Sequence, residues 1–271
     1  MSALITTQGL SEKLVQPGLR LLDASWHMPA SGRDARAEFA QEHIPGAAFF
    51  DIDAVSDRQS PYPHMLPAAD EFARTMGALG ISNADEVVVY DTDGLFSAAR
   101  VWWMFRAFGH DKVRVLDGGL PKWKAERKPL ASGEPHLPPA RFTTHFRPEL
   151  LRTREQVRTN ITAGRETLLD ARSPGRFSGS EPEPRPGLRS GHIEGSVNLF
   201  FRDCIAPPYN TLKKPEALRT LLAARGIDPM SRLAATCGSG VTACILALAL
   251  HELGNKDVAV YDGAWAEWGS A

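Results

Sequence analysis

A chain of 271 residues with 43% hydrophobic and 23% charged residues has the composition of a globular protein with a sizeable core, unlike a disordered or membrane-embedded chain. Its length points to two domains, and its formal net charge of -1 speaks against nucleic acid or a membrane surface as the main partner, both of which select a basic face. The opening MSALITTQGLSEKLV has neither a basic segment followed by an apolar one nor an Arg-rich amphipathic pattern, so a cytoplasmic location is expected. Cys204, Cys237 and Cys244 are odd in number and form no CxxC pair, which leaves them as thiols rather than disulfide partners or zinc ligands.

Taken in chain order, short apolar runs at Leu21–Ala24, Val87–Tyr90 and Val113–Leu116 read as strands alternating with helical patterns. Residues 127–148 follow, with Pro129, Pro135, Pro138, Pro139 and Pro148 and no clear period, and read as an extended linker. Strands are then expected at Leu168–Ala171, Leu233–Thr236 and Val258–Tyr261. A buried helix is expected from Val241 to Leu253, capped by Gly254. Alternation of this kind predicts an α/β fold of parallel sheets flanked by helices on both faces.

The two halves repeat one another. Leu21-Leu22-Asp23-Ala24 recurs as Leu168-Leu169-Asp170-Ala171, and His43-Ile44-Pro45-Gly46 recurs as His192-Ile193-Glu194-Gly195. The segment beginning Val115-Leu116-Asp117-Gly118 recurs as that beginning Val260-Tyr261-Asp262-Gly263. Near-constant spacing between the copies predicts one fold used twice. The expected organisation is a first domain over 1–135, a linker over 136–149 and a second domain over 150–271.

Cys237-Gly238-Ser239-Gly240-Val241-Thr242 lies between an expected strand and an expected helix. In an open parallel sheet, ligands bind beyond the carboxyl ends of the strands. Gly238 and Gly240 are expected to allow positive φ values, turning backbone N–H groups inward around the sulfur. Those donors and the helix N-terminus favour a thiolate, the nucleophilic form of cysteine. Two other chemistries fit less well. Gly238-Ser239-Gly240-Val241-Thr242-Ala243 matches a dinucleotide G-x-G-x-x-A pattern with Asp262 following, yet that fingerprint normally opens its domain. A cysteine-dependent phosphatase loop needs an arginine where this chain has Ala243.

With the duplication and this loop, several further motifs make the chain resemble the rhodanese superfamily over about residues 15 to 268. They are Gly-Arg-Asp-Ala-Arg at 32–36, Ser60-Pro61-Tyr62 with His64-Met65-Leu66-Pro67, Arg100-Val101-Trp102-Trp103-Met104-Phe105, and Glu181-Pro182-Glu183-Pro184-Arg185. The resemblance implies tandem rhodanese-like domains with the active site between them and the second copy catalytically complete. An offset of 146 agrees, setting Asp91 where Cys237 stands in the second copy.

The resemblance further implies transfer of sulfur from 3-mercaptopyruvate, through a Cys237 persulfide, to thioredoxin, another thiol or cyanide, with no metal or organic cofactor. Gly238 and Ser239 favour this donor, since family members that use thiosulfate usually carry basic residues there. Arg176 and Arg185 match the arginines that hold the donor's carboxylate and ketone, and Ser239, His64 and Asp53 match the residues that manage its proton. Gly238, Gly240, Val241 and Thr242 are implied as the binding loop. Cys244 is read as a packing residue. The alternatives are a thiosulfate-using enzyme of the same class and a non-catalytic sulfur-carrier or regulatory module.

Overall fold

The computed structural model describes residues 2–135 and 137–270; Met1, His136 and Ala271, at which expected domain and linker bounds fall, lie outside the described residues. The chain divides into two units. The first holds the residues up to Arg58, Pro67–Phe146 and Pro207–Thr211; the second holds Gln59–Leu66, Arg147–Ala206 and the residues from Leu212 onward.

The first unit contains strands β1 (Leu4–Ile5), β2 (Leu19–Asp23), β3 (Ala47–Phe49), β4 (Glu86–Tyr90) and β5 (Val113–Leu116). They form one parallel sheet in the order β1-β5-β4-β2-β3. The second unit repeats the plan with β6 (Leu151–Arg152), β7 (Thr167–Asp170), β8 (Val197–Asn198), β11 (Leu233–Thr236) and β12 (Ala259–Tyr261), ordered β6-β12-β11-β7-β8. The short β9 (Ile205–Ala206) and β10 (Thr211–Leu212) lie outside this sheet. Helices flank both sheets, and the central strand residues are mostly apolar and buried because a covered parallel sheet has no wet face.

In each sheet the chain leaves one central strand toward one edge and returns on that strand's other side. The reversal falls between β2 and β4, and again between β7 and β11. Loops diverge at such a point, which opens a crevice at the carboxyl ends of the two strands. The backbone there is the same in both copies: Ala24 N donates to Tyr90 O at 2.8 Å, and Ala171 N donates to Thr236 O at 2.8 Å. Asp91 and Cys237 are the next residues.

The helix after each of these loops is buried through the core. Residues Ala243–Leu250 of helix Ala243–Glu252 are all buried, as the uniformly apolar sequence predicts. Gly254, at φ +107, follows its end, and the Gly254 and Asn255 amides return to His251 O and Leu250 O. In the first unit, helix Ala98–Ala107 buries Arg100 and Arg106 with their guanidinium groups over the rings of Trp103 and Trp102.

The Pro-rich stretch expected as a linker is extended, but its later part packs onto the first unit. Ala140 N donates to Gly77 O, Asn83 holds Thr143, and Phe142 is buried edge-on against Phe72 and Phe105. An aromatic anchor gains more from burial than an extended chain gains from solvation, so a run without helical or strand period still acquires a fixed place.

Candidate active site in the second unit

The loop from Cys237 to Thr242 is held from below by backbone bonds. Trp265 N donates to Cys237 O and Ala266 N to Gly238 O, each at 2.9 Å, so the first amides of helix Ala264–Trp268 take the carbonyl oxygens of the cysteine loop. Asp262, at the end of β12, accepts the Leu66 amide at 2.7 Å and thereby ties down the segment that carries His64. This is the acid that sequence pattern could have mistaken for a ribose ligand.

His64 is 4% exposed and has φ +62, a left-handed conformation that costs a non-glycine residue about 1–2 kcal/mol. The conformation brings its Nδ1 to 3.0 Å from the Ser239 hydroxyl. Cys237, two residues earlier, is 2% exposed. The expected glycine pattern needs one correction: Gly240 has φ +76, but Gly238 does not adopt positive φ. Gly238 is required by proximity instead, because a Cβ there would lie 2.8 Å from Arg176 Nη2.

Arg176 lies in the short helix Pro174–Ser178, capped by Ser173, and is therefore set directly against the residue that follows the cysteine. Arg185 is half-buried two residues beyond Glu183. Gly240 and Val241 are buried, and Thr242 begins the helix. Asp53 belongs to the first unit, in the first turn of helix Ile52–Val55, where it accepts Trp26 Nε1–H at 2.9 Å; Asp51 provides the cap of that helix. The second unit thus gathers Cys237, Gly238, Ser239, His64 and Arg176, while Asp53 has its place in the other unit.

Cys244 is fully buried and its thiol donates to Gly240 O at 3.2 Å, consistent with packing. Cys204 is 1% exposed, and burial pushes its thiol up to about 12. Among the described residues, no group of three or more His, Cys, Asp or Glu side chains is arranged to hold a metal, and no helix is long and apolar enough to cross a membrane.

Sequence reasoning missed Asp170 and Arg172 as parts of this site. They stand at the end of β7, beside the end of β11, with Thr236 paired to Asp170. The strand order was the signal: once β7 and β11 are neighbours, residues 170–172 must border the cysteine loop.

In the first copy the loop after β4 holds a carboxylate in the corresponding position. Asp91 accepts the amides of Asp93, Phe96 and Ala98 at 2.8–3.0 Å. Burial pushes its carboxyl up, while the amides of Ala98 and Phe96 act in the opposite direction. A carboxyl group held by three amides fixes this loop and offers no thiol.

A cysteine loop at the strand-order reversal of the second of two parallel-sheet units, meeting a histidine at Ser239 and bordered by an arginine at Gly238, marks an enzyme of tandem α/β type with a candidate site at that loop. The rhodanese-like domain family matches residues 7–126 and 153–271, and the chain belongs to that family. It is 50% identical to human 3-mercaptopyruvate sulfurtransferase, over 98% of this chain and 91% of that protein. It is 49% identical to thiosulfate sulfurtransferase of Bos taurus, with the same coverage. The crystal structure of SseA from Escherichia coli, a protein described among 3-mercaptopyruvate sulfotransferases, superposes with a TM-score of 0.89 at 36% identity, covering 98% of this chain and 99% of that one.

Proposed function

We propose that the chain is a sulfurtransferase that takes sulfur from 3-mercaptopyruvate onto Cys237, releases pyruvate, and passes the sulfur to a thiol such as thioredoxin, or to cyanide. The observation that carries the reading is the Arg176 guanidinium lying against Gly238. A cation fixed outside the loop suits a donor whose carboxylate is remote from its sulfur, and a planar guanidinium fits a carboxylate in two parallel hydrogen bonds.

In this reading Arg176 and Arg185 hold the donor, and the Cys237 thiolate attacks its sulfur. An S–S bond forms as the C–S bond breaks, and the electron pair passes into the enolate of pyruvate. The proton leaving the donor's thiol ends on the enolate carbon, relayed by the Ser239–His64 pair. Cys237 is left as a persulfide anion. An acceptor thiol then attacks the outer sulfur, and the Cys237 thiolate departs.

Relatives named for thiosulfate match this chain nearly as well as those named for mercaptopyruvate, so thiosulfate is the second reading. Gly238 and Ser239 disfavour it, because neither side chain offers a cation to a sulfur oxyanion. The test is a comparison of kcat/KM for the two donors with identification of the keto acid, together with mass spectrometry of the protein after donor alone. A higher kcat/KM for thiosulfate would overturn the donor assignment, and absence of an added sulfur on the Cys237 peptide would overturn the covalent route. A cytoplasmic site of action is part of the same proposal, tested by fractionation.

A further inference from the structure

Arg176 does not stand alone. Glu183, whose side chain is 2% exposed, binds one edge of it: Arg176 Nη2 donates to Glu183 Oε2 at 2.6 Å and Arg176 Nε donates to Oε1 at 3.2 Å. The same Glu183 Oε1 accepts Arg172 Nη1 at 2.8 Å. Arg172 is completely buried. Its Nε and Nη2 donate to Asp170, its Nη2 also donates to Gly191 O, and its guanidinium lies over the Trp265 ring at 4.2 Å. A charge relay of four side chains, Asp170, Arg172, Glu183 and Arg176, therefore runs from the end of β7 to the residue beside the nucleophile.

Two features separate this chain of ion pairs from ordinary packing. The first is cost. Burying alternating charges is at best neutral relative to apolar side chains, so stability alone does not call for them. The first copy of the fold does without: Ser25 stands where Arg172 stands, and the matching Asp23 takes the Ser25 amide and hydroxyl instead. At this position a buried arginine occurs in the copy that carries the thiol and a serine in the other. The second is geometry. Glu183 occupies the Nε–Nη2 edge of Arg176, and among the described residues no protein acceptor takes Nη1. The end-on edge formed by Nη1 and Nη2 is thus kept for an anion, at Gly238, with the guanidinium plane already fixed.

We infer that Glu183 is a positioning residue for the donor: anchored by Arg172, it fixes the Arg176 guanidinium so that its outer edge meets the substrate carboxylate. The inference rests on the reading of Arg176 given above. Without Glu183 the guanidinium regains its rotamer freedom, and the cost of re-ordering it appears when the donor binds.

The experiment is a double-mutant cycle on the full chain, with KM and kcat for 3-mercaptopyruvate as readouts and thermal unfolding as a control. Glu183→Ala is expected to raise KM about tenfold with kcat changed less than threefold, since its effect is on a binding contact. Arg176→Ala is expected to raise KM at least as much, and Glu183→Ala added to Arg176→Ala to raise it no further, because Glu183 acts through Arg176. Glu183→Gln keeps an acceptor for Arg172 and is expected to show a smaller rise; it serves in place of Glu183→Ala should that variant not fold. If Arg176→Ala raises KM while both Glu183 variants keep the wild-type value, or if the two effects simply multiply, the positioning role is overturned and the Arg176 assignment stands. If Arg176→Ala has the wild-type KM, that assignment falls and the positioning role with it.

Discussion

His64 Nδ1 and the Ser239 hydroxyl meet at 3.0 Å although 175 residues separate them in the chain. Ser239 follows Cys237 by two residues, so the contact brings a titratable ring to the edge of the cysteine loop. An imidazole in that position is suited to carry the proton that the proposed reaction delivers to the pyruvate enolate. His64→Ala is expected to lower kcat for pyruvate release about a hundredfold, within the usual range for a lost acid–base group, with KM little changed. Ser239→Ala should cost about tenfold, the worth of one hydrogen bond of about 1.4 kcal/mol. A wild-type kcat in His64→Ala would show that the ring only packs.

Gly238 offers a sharper steric test. A Cβ at this position would sit 2.8 Å from Arg176 Nη2, closer than a carbon and a nitrogen tolerate, and the far end of a long side chain is what must yield. Gly238→Ala is therefore expected to fold with wild-type stability to within about 1 kcal/mol, because Gly238 needs no positive φ. Its KM for 3-mercaptopyruvate should rise about tenfold as the guanidinium is displaced. Steady-state kinetics beside a thermal melt distinguish this from general loss of structure.

The three thiols are expected to differ in reactivity. Cys204 is buried, with its thiol pushed up to about 12, and Cys244 is fully buried with its thiol donating to Gly240 O. Sulfur loaded from the donor should appear on Cys237 alone, and Cys237→Ser should abolish loading while Cys204→Ser and Cys244→Ala retain it. Peptide mapping after donor treatment reads this directly. An added sulfur on the Cys204 peptide would mean that the second sheet opens far more readily than its packing implies.

The sequence made the central strands legible because each is a continuous apolar run bounded by turns. Val113–Leu116 and Leu233–Thr236 fall on the residues expected, and the others within two residues of them. Leu4–Ile5 and Val197–Asn198 were not legible, since a strand of two residues has no period and exists only because a neighbouring strand offers its edge. At the site, glycine spacing located the loop but not the reason for each glycine: Gly240 serves backbone conformation and Gly238 serves Arg176. Arg172 was hidden because its partners, at 170, 183 and 191, converge only through the folding of the long connection after β7, which has no period to read. Motif resemblance could supply Arg176 and His64 as names; Arg176 follows β7, the neighbour of β11, while His64 reaches the loop because Asp262 holds the Leu66 amide.

Asp23 provides a test of the first unit by pH. Burial raises its carboxyl to about 6, against the Ser25 hydroxyl and amide that pull it down, from an ordinary value of 3.8. A carboxyl whose folded value lies above its unfolded one binds a proton more tightly in the native state. Between about pH 4 and 6 the native state holds that proton and the unfolded chain does not, so this group's contribution to stability falls as pH rises through the window and is constant above it. The span of about two pH units corresponds to roughly 3 kcal/mol at most. Asp23→Asn, which cannot ionise and is close in shape, should abolish this component, so that the stability difference between variant and wild type moves in the variant's favour from pH 4 to pH 7. Urea unfolding at those two pH values measures it. A difference independent of pH would mean that the Asp23 carboxyl titrates in the folded protein as it does in the unfolded chain.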